Sequence, residues 1–176
     1  PVVSVELPEE YTTRFLGNGL DDKELTVKAN EKALQKVRDE IEGWLRNDEE
    51  DQSVAIHGEK GIGKSTLLDR IAGEFSSLNV VRMSVPQKVW QKEGLANFFA
   101  GELGFEKADS LKKGILEFNK KLGKNTLVLI DDAQNLFLGK YGGFDAFREF
   151  VDLVNLKTDK IFWCSAFNEY SWAYIK

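Results

Sequence analysis

Residues 58–66 read GEKGIGKST, and the rest of the chain is best understood outward from this run. It fits the spacing G-x-x-x-x-G-K-[ST] at Gly58, Gly63, Lys64 and Ser65 without a mismatch. The spacing has a physical reason. Glycines let the backbone curl so that successive N–H groups point inward, with no Cβ in the way of a bound anion. Lys64 can then reach the β- and γ-phosphates of a nucleotide, and Ser65 can give its hydroxyl to Mg²⁺. The helix that follows directs its positive end at the same charge. The candidate phosphate cradle is therefore Gly58, Glu59, Lys60, Gly61, Ile62, Gly63, Lys64, Ser65 and Thr66.

The flanks supply the context this motif requires. SVAIH (residues 53–57) is a short apolar run that reads as a buried strand. STLLDRIAGEF (65–75) places Leu67, Leu68, Ile71, Ala72 and Phe75 at helical spacing. Strand, glycine loop and helix thus follow one another in the required order. Further on, TLVLID (126–131) is apolar enough to be buried on both sides and ends in an acid. Asp131 then falls at the carboxyl edge of a parallel sheet, where ligands of open α/β folds bind, and can hold Mg²⁺ through water. Asp132 follows directly and can orient or deprotonate an attacking water.

Around these motifs, residues 1–29 read as an extended polar lead-in with a turn near Gly17-Asn18-Gly19, and 30–176 as the core domain. Leu34, Val37, Ile41, Trp44 and Leu45 predict a helix from about residue 30 to 45. NVVRMSV (79–85) and KIFWCSAF (160–167) predict two further strands, making four in all. Helices are expected near 87–103, after Asp109-Ser110, and over 143–156. LGKYGG (138–143) is the candidate mobile loop. Alternating strands and helices give an α/β, three-layer fold: a mostly parallel sheet flanked by helices.

GEKGIGKST together with LVLIDDAQNL resembles the additional-strand branch of P-loop ATPases, in particular the AAA+ and STAND groups, over about residues 30–170. The resemblance implies ATP or ADP as ligand, with Mg²⁺ held by Ser65 and Asp131. It implies ATP hydrolysis with Asp132 as the catalytic carboxylate, and conformational coupling within a larger protein. It also implies a polar residue ending the next strand, near the γ-phosphate. Asn168 is that candidate and Ser165 the alternative. An arginine is expected from a second copy or a partner domain; Arg148 is the one arginine of this chain beyond Asp131. The lead-in residues Phe15, Leu16 and Gly17 are candidates to cover the adenine.

Two departures qualify this resemblance. AAA+ motors usually carry Asp-Glu where this chain has Asp131-Asp132, as STAND-like switches do, so a nucleotide-dependent switch with little turnover is the second reading. The expected last core strand and helical lid were not found in the sequence, so the core is read as truncated before them. A small-molecule kinase is a third reading. A GTPase fits poorly: NLKTD (155–159) has the wrong spacing for N-K-x-D, and no glycine follows Asp131 as D-x-x-G demands.

Composition narrows the class. The 176 residues are 42% hydrophobic and 30% charged, which suits one substantial core. A net charge of −5 argues against a mainly electrostatic nucleic-acid binder. With His57 the only histidine and Cys164 the only cysteine, a zinc cluster and an intramolecular disulfide are both out of reach, which fits a cytoplasmic setting. His57 is expected to pack at its strand end, Cys164 to be buried, and Trp163 and Trp172 to anchor core or interface. No apolar run reaches the roughly 18 residues of a membrane span. The chain opens at Pro1 and its one methionine is Met83, so it reads as a piece of a longer protein.

Overall fold

β4 (Thr126–Asp131) and β5 (Ile161–Asn168) form the middle of the sheet, and their side chains alternate between two cores. Leu127, Leu129, Phe162 and Cys164 point to one face, where they meet Val37, Ile41, Trp44, Leu67 and Ile71. Val128, Ile130, Ile161 and Trp163 point to the other, where they meet Leu95, Phe99, Ile115 and Phe150. Successive residues of a strand face opposite sides, so a strand covered by helices on both faces must be apolar throughout. That is why TLVLID and IFWCSAF carry no polar alternation.

The computed structural model describes residues 1–5, 22–48, 51–87, 89, 91–106, 109–137 and 143–175, with side chains of the first helix described from Glu31 onward. In chain order the remaining elements are β1 (Val2–Ser4), α1 (Asp22–Arg46), β2 (Ser53–Gly58) and α2 (Lys64–Glu74). Next come β3 (Asn79–Ser84), α3 (Lys92–Leu103) and α4 (Leu111–Lys121), which lead into β4. A 3-10 turn (Ala133–Leu136) and α5 (Asp145–Val154) connect β4 to β5, and α6 (Glu169–Ile175) follows. The sheet is parallel throughout, in the order β1-β2-β5-β4-β3. α1 and α2 cover one face, and α3, α4 and α5 the other.

The three-layer α/β architecture read from the sequence is present, with three differences, one of them that α3 begins at Lys92 and not near residue 87. The described residues form five strands, one more than expected, because Val2–Ser4 adds to the edge of β2 with Val3 opposite Ile56. Three residues are too few to show a periodic pattern, and the strand owes its place to β2 and to the burial of Val3 and Val5 at 2% exposure each. The first helix begins at Asp22, not near residue 30. Its opening turns, DKELTVKAN, hold good helix formers but too few apolar residues to signal a face. The candidates Phe15, Leu16 and Gly17, the turn at Gly17–Gly19, and residues 138–142 of the candidate mobile loop lie outside the described residues.

Candidate functional site

β2 delivers the glycine loop to the carboxyl edge of the sheet and α2 leaves from it. Gly58 is pinned by a close approach: a Cβ there would stand 2.7 Å from the Val5 carbonyl oxygen and 3.1 Å from Ile62 Cγ2. Gly63, at φ 92°, takes the left-handed turn from which α2 starts. Lys64, Ser65 and Thr66 form the first helical turn, whose amides have no preceding helical carbonyl to bond and so present donors to an anion. Lys64 folds back over the loop, and its Nζ donates to the carbonyls of Gly58 at 2.8 Å and Glu59 at 2.6 Å. Burial pushes its pKa down, against the pull of Asp131, Asp132 and Glu169. An ammonium seated on neutral carbonyls in a desolvated position is suited to take a phosphate in exchange.

Asp131 ends β4 and is 8% exposed. Its carboxylate accepts hydrogen bonds from Arg82 Nη2 at 2.8 Å and from the Asp132 N–H at 3.0 Å, and the nearby Ser65 hydroxyl also favours its ionised form. Burial alone would raise its pKa, but Ser65 and Arg82 outweigh it and hold the carboxyl below its ordinary value. Asp132 adopts a left-handed conformation, φ 53° and ψ 34°, which is uncommon for a residue with a side chain. The turn exposes its carboxylate beside the loop. Ser84 Oγ donates to Oδ2 at 3.2 Å and Gln134 Nε2 to Oδ1 at 2.8 Å.

Asn168 closes β5 directly opposite Gly58 in the sheet register. Its N–H donates to Gln134 Oε1 at 3.2 Å, and its Oδ1 accepts the Ser171 N–H at 2.8 Å in the first turn of α6. A polar cleft of about 640 Å³ brings Lys60, Gly61, Gly63, Lys64, Ser65 and Thr66 together with Asp131, Asp132 and Asn168. Val85, Pro86, Gln87, Gln134 and Asn135 complete its wall. The Ser65 hydroxyl and Asp131 carboxylate, which line this cleft together, are hard oxygen donors of the kind Mg²⁺ takes, so the residues fit that ion.

Other sequence candidates fall elsewhere. Ser165 is 4% exposed and lines an apolar groove with Phe147, Phe167 and Trp172. Arg148 lies on α5 beside that groove, and not on the polar cleft. Cys164 is buried, and burial pushes its thiol well up. Trp163 is fully buried. His57 does more than pack: its Nδ1 lies 2.8 Å from a Glu169 carboxylate oxygen, and its ring stacks on Trp172 at 5.2 Å.

Sequence reasoning missed Arg82, Ser84 and Gln134. A lone charge inside the apolar run NVVRMSV was the available signal for Arg82, because a buried charge needs a partner. Placing Ser84 needed the β3–β4 register, which sets it opposite Asp131.

The profile of the family described as "AAA domain" matches residues 46–165. The replication factor C large subunit of Methanosarcina mazei is 26% identical over 133 residues, which is 76% of this chain and 18% of that protein. The chain thus spans less than a fifth of that relative. The solved structure of AMPPCP-bound DnaA from Aquifex aeolicus aligns over 66% of this chain and 32% of that one, with 21% identity and a TM-score of 0.35. No helix among the described residues is long and apolar enough to cross a membrane.

Proposed function

The chain belongs to the AAA domain family, and from that premise we propose that it binds ATP with Mg²⁺ and hydrolyses it to ADP and phosphate. The observation that carries this reading is the convergence of Lys64, Ser65, Asp131 and Asp132 on one polar cleft. The first-turn amides of α2 and the Lys64 ammonium hold the phosphates. Ser65 and Asp131 hold Mg²⁺, which supplies charge neutralisation at the phosphates when bound. Asp132 accepts a proton from the attacking water and orients it. Asn168 contacts the γ-phosphate or that water.

The additional-strand branch, with STAND-like character, is part of the same proposal. Its support is the sheet order: β5 lies between the strand bearing the phosphate loop and the strand bearing Asp131. We further propose that the part of the lead-in (1–29) between β1 and α1 covers the adenine of a core at 30–176, together with a cytoplasmic setting and an arginine supplied by a second copy or partner domain. In this reading nucleotide state drives conformational change in a larger protein.

A switch with little turnover is favoured by two specific observations. Asp131 is already engaged by Arg82, and the following residue is the shorter Asp132 where motor proteins carry glutamate. Single- and multiple-turnover phosphate release from Mg·ATP separates the two readings. The ATPase reading expects repeated turnover by the wild type and its loss in Asp132→Asn with nucleotide binding kept. Equal turnover in both proteins contradicts the role of Asp132.

A further inference from the structure

β3 carries a charge in a run that otherwise packs. Val80 and Val81 are partly buried and Met83 and Val85 are buried, yet Arg82 stands between them. Its side chain is only 28% exposed, and a charge so far withdrawn from water is stabilised by partners of opposite sign. Arg82 has two, on different elements. Nη2 donates to Asp131 Oδ2 at 2.8 Å, Nε donates to Asp69 Oδ1 on α2 at 3.2 Å, and Nη1 reaches the Met83 carbonyl at 3.2 Å. The two carboxylates differ sharply. Asp131 has a side chain 12% exposed at the cleft, whereas that of Asp69 is 69% exposed one turn along α2 from Ser65.

We propose that Arg82 is an internal cation that competes with the divalent metal for Asp131, and that Asp69 is the seat to which it moves when the metal binds. The inference rests on the reading that Asp131 and Ser65 hold Mg²⁺. A guanidinium and a divalent ion drawn to one carboxylate repel each other, and in a partly desolvated site that repulsion is weakly screened. Arg82 therefore stabilises the metal-free domain, tying α2 to β4 through Asp69 and Asp131, and weakens the metal-bound state. It need not lose its ion pair to yield, because Asp69 already takes its Nε.

The test compares the wild type with Arg82→Gln and Asp69→Asn. It uses Mn²⁺ as the metal, read by electron paramagnetic resonance in the presence of ADP, and thermal melting in EDTA. Arg82→Gln is expected to melt lower in EDTA yet bind Mn²⁺ about tenfold tighter, the loss of one charged competitor. Asp69→Asn removes the alternative seat and is expected to bind Mn²⁺ several-fold more weakly. Because Asp69 is exposed, that variant decides the matter if Arg82→Gln does not fold. Mn²⁺ affinity unchanged or weaker in Arg82→Gln, or unchanged or tighter in Asp69→Asn, overturns the competition while leaving the metal site in place. A wild type that shows no saturable Mn²⁺ binding with ADP overturns the metal reading and this inference together.

Discussion

Gln134 accepts the backbone N–H of Asn168 through Oε1 at 3.2 Å, joining the turn after β4 to the end of β5. Its amide nitrogen donates to Asp132 Oδ1 at 2.8 Å, so one side chain spans the proposed catalytic carboxylate and the proposed γ-phosphate contact. Gln134→Ala removes both bonds and leaves the Asp132 carboxylate held by Ser84 alone. The single-turnover hydrolysis rate is expected to fall about tenfold, the worth of one hydrogen bond of roughly 1.4 kcal/mol. ATP affinity should change little, because Gln134 belongs to the water side of the site. A variant with unchanged rate would remove Gln134 from the mechanism.

Gly58→Ala is a stability prediction independent of nucleotide. The added methyl would meet the Val5 carbonyl oxygen at 2.7 Å, and Val5 is itself tied to β2 by its N–H, which donates to the His57 carbonyl at 2.8 Å. Overpacking of this kind costs about 1–3 kcal/mol. Denaturant unfolding of the nucleotide-free protein measures it, and an unchanged midpoint would contradict the close β1–loop contact.

The depressed pKa of Asp131 makes a prediction about acid. Because the folded-state value lies below the ordinary one, the carboxylate contributes stability that is fully present above the ordinary carboxylate value of about 3.9. That contribution is lost as pH falls from there through the folded-state pKa. The wild type should therefore exceed Asp131→Asn in stability near pH 6, and the gap should narrow below about pH 4. Urea midpoints of both proteins across this range are the measurement. A gap that stays constant would show that ionised Asp131 gains nothing from Ser65 and Arg82.

What was legible in the sequence follows from the range of the interactions involved. The phosphate loop, α2 and the acid ending β4 are set by neighbours in the chain: glycine at Gly63, the helical spacing of Leu67 to Ile71, and an unbroken apolar run before Asp131. β1 was hidden because Val2–Ser4 is a strand only through its pairing with β2. The opening of α1 was hidden because its first turns carry helix propensity without an apolar stripe. Within the site, Arg82 and Ser84 reach Asp131 and Asp132 across strands, and Gln134 joins Asp132 to the end of β5, long-range contacts that no local spacing announces. Asn168 could be placed at the strand end, but not its second task, capping the first turn of α6 through Ser171.

The central claim is that the loop at Gly58–Thr66 holds the phosphates of a nucleotide, and Lys64 tests it most directly. Its ammonium contacts the carbonyls of Gly58 and Glu59 at the mouth of the cleft, so Lys64→Ala should leave the fold standing. Titration calorimetry with Mg·ATP, alongside a melting curve for each protein, is the measurement. The wild type should bind saturably, and folded Lys64→Ala should bind at least about tenfold more weakly, having lost its charge-assisted phosphate contact. Folded Lys64→Ala with wild-type affinity for Mg·ATP would contradict the assignment of this loop.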